Sequence, residues 1–477
     1  MNVVLISTYE LGRQPFGLAS PAAWLRELGA RVTCLDLSRE PLAEEAVRAA
    51  ELIAFYVPMH TATRLAVALL PAVREMNPRA HLCFYGLYAP VNENYLRGLG
   101  VDTILGGEFE EGLAQLTRNP PARQTSTISV ARQKFRVPDR RGLVPLGKYA
   151  MLVMPGGESR TVGYTEASRG CKHLCRHCPI VPVYNGMFRI VERDVVLADI
   201  RQQVDAGAQH ITFGDPDFFN GIGHAIPLVE ALHCEFPRIT YDVTIKVEHL
   251  LKHGDCLSKL RDTGCLFVTS AVESVDDAVL ERLAKNHTRA DFLRVIGLFR
   301  EIGLTLAPTF VTFTPWTTLA SYCELLEIVR EQELIENVAP IQFAIRLLIP
   351  AGSRLLELAE AREIVGPFDD AALVYPWRHP DLRMDALCVR LQETVNAAEK
   401  MKRPRARIFE QIEEAVYESF AEGEPQRLAR RPMPVLAPRA AIPHLNEPWY
   451  CCAEPTGDQL ISISATTKGA RQAHDFV

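Results

Sequence analysis

Three cysteines stand close together at Cys171, Cys175 and Cys178, with the spacing C-x3-C-x2-C. Thiolates crowded onto one short loop are suited to a metal centre, and iron–sulfur clusters are held by cysteine thiolates. A closed structural metal site normally takes four protein ligands, whereas three leave one metal position open, as in catalytic sites. No fourth cysteine is near in sequence. The spacing therefore indicates a metal centre with an open position.

Two other interpretations of the loop are a zinc site completed by His173 or His177, and thiols that are simply buried. Zinc sites favour paired C-x2-C half-sites. This loop contains one such pair, Cys175 and Cys178. The spacing therefore favours an iron–sulfur cluster over zinc.

The C-x3-C-x2-C loop resembles that of the radical S-adenosylmethionine (SAM) enzymes. The resemblance implies that the three thiolates hold a 4Fe-4S cluster, and that the amino and carboxylate groups of SAM chelate its fourth iron. His177 takes the position of a residue that is usually aromatic in this family and packs near the adenine of SAM. The preceding residues 164–168 resemble the strand that delivers the loop.

Length and composition set the broad class of the chain. Its 477 residues suggest two or three domains, and 48% hydrophobic residues can form substantial cores. A net charge of −6 gives no electrostatic footprint for nucleic acid. No apolar run has the flanks of a signal peptide or the length of a membrane span. We therefore expect a cytoplasmic protein with neither nucleic-acid nor membrane partners.

Twelve cysteines without a secretory signal fit a reducing compartment. Most of them stand alone in apolar or helical contexts, where a free thiol behaves as a small hydrophobic group. The isolated cysteines expected in the core are Cys34, Cys83, Cys234, Cys256, Cys265, Cys323 and Cys388.

Short apolar segments alternate with amphipathic ones over residues 1–118, which predicts a doubly wound parallel sheet. Strands are expected at 3–6, 32–35, 52–56 and 81–85, and a helix at 63–76. A domain of this kind ahead of a radical SAM core resembles a cobalamin-binding domain. Its usual signature, D-x-H-x-x-G, is missing, and His60 lacks the aspartate and glycine context. We therefore expect no cobalamin.

The rest of the chain divides into a linker at 119–150, a second domain at 151–366 and a helical region with an extended tail at 367–477. Strands after the cysteine loop are expected at 209–213, 240–245, 266–271, 305–313 and 339–345. With the strand before the loop they make six repeats, which predict a partial (β/α)6 barrel. Active groups should then lie at the carboxyl ends of its strands. The stretch 381–420 has the apolar periodicity of a helix.

Polar residues follow the second and third of these strands. Gly214, Asp215 and Pro216 resemble the G-E-P segment that receives the amino group of SAM, although by itself the tripeptide is also a plain turn. After the third strand, Lys246 can pair with the SAM carboxylate and Glu248 can accept from a ribose hydroxyl. The alternative for this pair is two solvated loop charges.

Glu273 and Ser274 close the fourth strand and resemble the ribose-binding G-x-E-S segment of the family. A glutamate that ends an apolar strand needs partners if it is buried. On the sixth strand, Gln342 and Arg346 are candidates for contact with cofactor or substrate. For Arg346, a structural ion pair is the alternative.

Near the end of the chain, Cys451 and Cys452 are adjacent within the sequence Cys-Cys-Ala-Glu-Pro. Thiolates are soft ligands for thiophilic centres, and incidental surface cysteines are the alternative. The tail resembles that of a radical SAM group named for its C-C-A-E-P terminus, in which relatives carry selenocysteine at the position of Cys452. Within that group the chain is most similar to the radical SAM enzymes of arsinothricin biosynthesis.

This resemblance implies a transferase that releases a 3-amino-3-carboxypropyl radical from SAM and adds it to trivalent arsenic. Arsenite, bound by Cys451 and Cys452, would be the substrate, and flavodoxin or ferredoxin an electron donor. One alternative is an enzyme that makes a 5′-deoxyadenosyl radical and abstracts hydrogen from a peptide or small metabolite. Another is a non-catalytic metalloid sensor or electron carrier.

Overall fold

The computed structural model describes residues 1–118, 125–420 and 442–447. The predicted fold class is confirmed: an α/β chain with a doubly wound first domain, a partial parallel barrel and a helical C-terminal region. Cys451 and Cys452 lie outside the described residues. Within the described ranges, no helix combines the length and apolar character needed to cross a bilayer.

The first domain is a six-stranded parallel sheet with the strand order β2-β1-β3-β4-β5-β6. Apolar cores lie on both of its faces, as parallel sheets require. The strands are β1 (Asn2–Ser7), β2 (Arg31–Asp36), β3 (Leu52–Tyr56), β4 (His81–Tyr85), β5 (Thr103–Gly107) and β6 (Thr125–Ser129). The helices are α1 (Phe16–Glu27), α2 (Glu44–Ala49), α3 (His60–Met76), α4 (Tyr88–Val91), α5 (Glu93–Gly98) and α6 (Glu110–Arg118).

The last strand of this sheet, β6, falls inside the predicted linker. It runs parallel to β5, with Gly107 opposite Ser129. Its sequence, Thr-Ser-Thr-Ile-Ser, is mostly polar and its central residues are exposed. An exposed edge strand lacks the apolar pattern that marks a strand in the sequence, so the sheet extends past the predicted boundary at residue 118.

The second domain is a partial barrel in which β8 and β11 to β14 are parallel, within the order β14-β13-β12-β11-β8-β7-β15. Its strands are β7 (Met151–Val153), β8 (Ser159–Thr165), β9 (Ser168–Gly170), β10 (Phe188–Ile190), β11 (His210–Phe213), β12 (Thr240–Thr244), β13 (Cys265–Glu273) and β14 (Thr305–Phe310). Its helices are α7 (Val181–Tyr184), α8 (Arg193–Asp205), α9 (Ile222–Glu235), α10 (Val247–Lys252), α11 (Leu257–Asp262), α12 (Asp277–Arg282), α13 (Arg289–Ile302) and α14 (Leu319–Glu331).

The C-terminal region contributes three helices and one short strand. They are α15 (Ala359–Ile364), α16 (Leu382–Lys400), α17 (Arg405–Tyr417) and β15 (His444–Leu445). The predicted helical stretch 381–420 is therefore two helices, because Pro404 cannot continue α16. Strand β15 pairs with β7, and Leu445 packs among the inward-facing Leu152 and Phe267 of the barrel.

Two predictions of local structure are wrong. The expected sixth strand at 339–345 is a 3-10 helix, Pro340–Ala344, since Pro340 has no N–H for a strand ladder. A single bridge between Phe313 and Arg346 marks the sixth barrel position. Among the isolated cysteines, five are buried as expected, but Cys234 is exposed near the end of α9 and Cys256 is partly exposed.

Candidate active site

A cavity of about 270 Å³ lies between the two domains. The carboxyl ends of strands from both sheets reach it, which is where ligand sites form in parallel α/β sheets. Tyr56, Gly86 and Gly107 line it from the first domain, and Gly214 and Thr244 from the barrel. The cavity is therefore enclosed by the strand ends of both domains.

All three cysteines of the C-x3-C-x2-C loop line this cavity as free thiols. Asn220 holds the start of the loop, because its side-chain oxygen accepts from the Lys172 N–H at 3.1 Å and its amide donates to the Gly170 carbonyl at 3.4 Å. Burial raises the pKa of Cys171 to about 11, so a metal must displace the thiol proton on binding. Three thiols that converge on one cavity fit a cluster with one open iron position.

A network of buried imidazoles and carboxylates lies beside the loop. His173 Nε2 is 3.2 Å and His249 Nδ1 is 2.7 Å from the same Oδ2 of Asp217. Cys171, His173 and Asp217 also bring one ligand atom each within 4.8 Å of one another. Asp217 and His249 are absent from the predicted site, because their approach depends on the packing of α10 against the loop after β11.

Asp215 holds the segment that precedes the cysteine loop. It accepts from the Ala167 N–H at 2.9 Å and from the Ser168 hydroxyl at 2.5 Å. Burial raises the pKa of Asp215 to about 7, although these two donors oppose the shift. The neighbouring Gly214 has no room for a side chain, since a Cβ there would lie 1.8 Å from the Tyr164 hydroxyl oxygen. Pro216 lines the cavity as well.

Glu273 ends β13 in the left-handed region at φ 69°, and its side chain turns into the cavity. His177 Nε2 and Lys285 Nζ lie 3.2 and 3.3 Å from its Oε1. Burial alone favours the neutral acid, but Lys285 and His177 lower the pKa of Glu273 to about 2. The structure therefore surrounds an ionised Glu273 with His177 and Lys285. Lys285 was not among the predicted site residues.

The remaining predicted residues of the barrel divide into two groups. Lys246 is buried and lines the cavity. Gln342 also lines it, and its side-chain oxygen accepts from the Phe310 N–H at 2.9 Å. Glu248 does not line the cavity; its half-exposed carboxylate lies 3.6 Å from Lys246 Nζ. Lys246 and Gln342 can therefore contact a ligand in the cavity. Glu248 lies outside the cavity and forms an ion pair with Lys246.

Ser274 and Arg346 lie away from the cavity. The Ser274 hydroxyl accepts from the N–H of Asp276 at 3.1 Å. Arg346 donates to Asp385 at 2.7 Å and to the Trp377 carbonyl at 2.6 Å. Arg346 therefore forms a structural ion pair, which was the alternative interpretation of this residue.

A buried arginine joins the cysteine loop to the first domain. Arg169, in β9, contacts Glu110 at 2.7 Å, Glu166 at 2.7 Å and Glu108 at 3.2 Å. Burial raises the pKa of Glu108 to about 7 against the opposing effect of Arg169. Sequence reasoning missed this cluster, although acidic residues at the start of α6 and an arginine two residues before Cys171 are both visible in the sequence.

The first domain gives the cavity an apolar wall of Tyr56, Met59, Leu87 and Phe109. His60 is not part of it: the ring is buried, its Nε2 lies 2.7 Å from the Ala372 carbonyl, and burial lowers the pKa of His60 to about 4. Among the described residues, no imidazole of the first domain lines the cavity.

The barrel is similar in sequence to known proteins. Residues 165–326 match the family model described as the Radical SAM superfamily. The threonylcarbamoyladenosine tRNA methylthiotransferase MtaB of Thermotoga maritima is 20% identical over 275 residues, which are 56% of this chain and 59% of that protein. The tRNA-2-methylthio-N(6)-dimethylallyladenosine synthase of Desulfosudis oleivorans is 22% identical over 47% of this chain and 49% of its own. The chain thus spans about half the length of the curated relatives it matches.

Solved structures extend the likeness to both domains. The cobalamin-dependent SAM radical enzyme OxsB, with aqua-cobalamin bound, aligns with 88% of this chain and 72% of its own at a TM-score of 0.66 and 14% identity. The radical SAM methyltransferase TsrM from Kitasatospora setae, with cobalamin and a 4Fe-4S cluster bound, aligns with 70% of each chain at 0.56 and 15% identity. At identities this low, the alignments show a common fold and nothing about function.

This likeness overturns the expectation that the chain takes no cobalamin. That expectation depended on the missing D-x-H-x-x-G signature, yet the first domain has the fold of enzymes that were solved with cobalamin. The signature describes one possible axial ligand of the cobalt. It does not test the apolar wall of Tyr56, Met59, Leu87 and Phe109, which offers a surface on which a corrin ring would pack.

Proposed function

We propose that this chain is a radical SAM enzyme that transfers the 3-amino-3-carboxypropyl group of SAM to trivalent arsenic in the cavity between its domains. The product would be the arsinothricin precursor, and the reaction would take place in the cytoplasm, where thiols stay reduced. The observation that carries the proposal is the position of Glu447, the last described residue before the cysteine pair.

Glu447 is held next to the cavity. Its Oε1 accepts a 2.8 Å hydrogen bond from the Tyr9 hydroxyl, and Leu11 and Arg13 of the same loop line the cavity. Cys451 follows four residues later, so even a fully extended chain separates their Cα atoms by at most about 14 Å. A tether this short gives a thiol pair a high effective concentration near the cavity.

The chemistry of the cavity suits the proposed reaction. When bound, the cluster supplies one electron to SAM. In the proposal, Cys171, Cys175 and Cys178 hold that cluster, Lys246 pairs with the SAM carboxylate, and Glu273 accepts from a ribose hydroxyl. The ionised state of Glu273 favours that last role, because an ionised carboxylate only accepts hydrogen bonds.

The tail thiols would bind the substrate. Arsenite exchanges two hydroxides for the sulfurs of Cys451 and Cys452, so that two arsenic–sulfur bonds replace two arsenic–oxygen bonds and two waters leave. Arsenic is a soft centre that prefers such ligands. The carbon–arsenic bond would form in place of the carbon–sulfur bond of SAM, and 5′-methylthioadenosine would leave. The unpaired electron left on arsenic would return to the cluster, so that arsenic goes from the trivalent to the pentavalent state and no net electron is consumed.

Nucleoside analysis tests the proposal. The protein is incubated anaerobically with SAM, arsenite and a reductant, and the nucleosides are identified by mass spectrometry. Arsenite-dependent 5′-methylthioadenosine is the expected result. 5′-Deoxyadenosine would instead support hydrogen abstraction, and the absence of every SAM-derived nucleoside would support a sensor or electron carrier; either result contradicts the proposal.

A second candidate is a cobalamin-dependent methyl transfer in the same cavity. The fold shared with OxsB and TsrM and the apolar wall of the first domain favour it. Bound cobalamin supplies a cobalt centre that can carry a methyl group, and Tyr56, Met59, Leu87 and Phe109 would hold its ring. S-adenosylhomocysteine among the nucleosides would support this candidate over the first.

Cobalamin retention can be measured separately. Protein reconstituted with hydroxocobalamin is gel-filtered, and the bound corrin is quantified by visible absorbance. Leu87→Glu should reduce retention because it places a charge in the apolar wall. Leu99→Glu, at an exposed position after α5, is the matched control. A wild-type protein that retains no corrin would contradict cobalamin binding.

A further inference from the structure

Exposed apolar side chains surround the outer face of the cysteine loop. Leu174, between two of the cysteines, is 42% exposed. Ile190 is also 42% exposed and lies in β10, which pairs antiparallel with β9; we call these two strands the hairpin. Neither Lys172 nor Leu174 lines the cavity, so this face of the loop looks away from the substrate side. Single exposed hydrophobic residues are ordinary, whereas adjacent ones mark interaction surfaces.

These side chains form one continuous surface. Phe188 and Ile190 alternate onto the same face of β10, and a Cβ built on Gly221 would lie 3.4 and 3.3 Å from them. Lys172 Nζ lies 5.0 Å from the centre of the Phe188 ring. We call the surface of Lys172, Leu174, Phe188 and Ile190 the hairpin patch.

Leu174 joins the patch beside Gly186, which lies just before β10 in the segment that connects β9 to β10. A Cβ built on Gly186 would lie 3.4 Å from Leu174 and 3.5 Å from the carbonyl oxygen of Lys172. Met187 is exposed too, but it points to the opposite face, where its sulfur lies 3.9 Å from an Arg189 nitrogen. The patch therefore covers the cysteine loop and excludes the far side of the hairpin.

The charge of the patch differs from that of the whole chain. Lys172 is exposed and forms no salt bridge among the described residues. Arg193, three residues after Ile190, is half-exposed, but it pairs with Asp194 at 3.9 Å and follows the exposed Glu192, so this segment adds no net positive charge. The chain as a whole carries a net charge of −6. An exposed lysine without a described carboxylate partner, on a chain that is negative as a whole, favours an acidic partner at this place on the surface.

From this placement we propose that the hairpin patch docks an acidic one-electron carrier protein that reduces the cluster. Lys172 directly follows Cys171 and Leu174 directly precedes Cys175, and neighbouring Cα atoms are about 3.8 Å apart. A carrier seated on these side chains lies within one residue of the cluster thiolates. Small interfaces with an apolar centre and flanking charge are typical of transient electron-transfer complexes.

Two reductants separate docking from cluster chemistry. SAM cleavage is measured anaerobically as total SAM-derived nucleoside, driven either by limiting reduced flavodoxin or by dithionite. Lys172→Glu and Leu174→Ser should each lower the flavodoxin-driven rate about tenfold or more, and leave the dithionite-driven rate and the iron and sulfide content unchanged. Lys148→Glu and Leu382→Ser, at exposed positions outside the patch, are the matched controls.

Salt gives an independent readout. Added salt should slow the flavodoxin-driven reaction of the wild type, because salt screens the attraction between Lys172 and the acidic carrier. It should have little effect on Lys172→Glu, which lacks that attraction. The proposal is overturned by an unchanged flavodoxin-driven rate in both variants, by equal losses with both reductants, or by a wild type that accepts electrons from dithionite and none from flavodoxin. SAM cleavage is the readout throughout, so the identity of the substrate does not affect these outcomes.

Discussion

The phenol of Tyr9 donates a 2.8 Å hydrogen bond to Glu447 across 438 residues of sequence. Gly12 packs against the side chain of Glu447, since a Cβ on Gly12 would lie 2.8 Å from Glu447 Cγ. Leu11 and Arg13 line both the active-site cavity and a second cavity of about 100 Å³ that residues 442–445 help to close. The segment that leads into the cysteine tail is therefore anchored on the loop that forms one wall of the site.

Tyr9→Phe should uncouple SAM cleavage from arsenic alkylation. A hydrogen bond to a charged acceptor contributes about 1.5–3 kcal/mol, which corresponds to roughly a tenfold or greater loss of the anchored tail. The ratio of arsenic product to 5′-methylthioadenosine, measured in one reaction, should fall while cluster content stays constant. Tyr95→Phe in α5 is the control, and an unchanged ratio in Tyr9→Phe would show that the anchor has no part in the reaction.

Replacing Cys175 by alanine should remove the cluster and all turnover. Three thiolates are already the fewest that hold such a site, so two cannot retain it. Iron and sulfide analysis after anaerobic reconstitution measures the loss. Cys234→Ala, which removes an exposed thiol on α9, should keep a full complement of iron. A Cys175→Ala protein with normal iron content and activity would refute the cluster assignment.

Gly214→Ala should destabilise the cavity wall. The new methyl group would lie 1.8 Å from the Tyr164 hydroxyl oxygen, so the buried ring must move, at a cost of about 1–3 kcal/mol. Urea unfolding and SAM affinity should both report the change. Gly223→Ala meets nothing within 4 Å in α9 and should stabilise by about 0.5–1 kcal/mol. Equal unfolding midpoints for the two variants would contradict the clash.

The Glu108 carboxyl should make stability depend on pH. Burial raises the pKa of Glu108 from its ordinary 4.5 to about 7, so between these values the folded state holds a proton that the unfolded state has lost. Its contribution is complete at low pH and disappears as the pH rises through about 7, with a slope of at most about 1.4 kcal/mol per pH unit.

Glu108→Gln tests this dependence. Urea unfolding from about pH 5 to about pH 8 should show a smaller loss of stability in the variant than in the wild type, because glutamine does not titrate. Glu301→Gln, at an exposed position, should follow the wild-type curve. Parallel curves for Glu108→Gln and the wild type would place the pKa of Glu108 near its ordinary value.

The sequence predicted the elements that depend on local pattern. Strands β3 and β4 have the predicted bounds, since both are short and mostly apolar, with His81 at the start of β4 as the exception. Asp215 and Lys246, which follow the ends of barrel strands, line the cavity. A parallel strand that is buried on both faces appears in the sequence as a continuous apolar run. Its carboxyl end then indicates where the site lies.

Long-range pairings were not predictable from the sequence. Arg346 pairs with Asp385, which lies 39 residues later in α16. Arg169 pairs with Glu108 and Glu110 across the domain boundary. Each pairing depends on how two elements pack, which no single-chain periodicity encodes. The polar strand β6 was missed for a related reason: the backbone ladder with β5 holds it in place, and its exposed side chains show no apolar pattern.

The fate of the SAM carbons tests the central claim most directly. Wild-type protein and a Cys451→Ser, Cys452→Ser double variant are given arsenite and SAM that carries carbon-13 in its aminocarboxypropyl chain and deuterium in its methyl group. We expect a wild-type arsenic product that contains the carbon-13 chain and no deuterium, and no such product from the double variant. A deuterated methyl group on arsenic, or a double variant that forms the carbon-13 product at the wild-type rate, would contradict it.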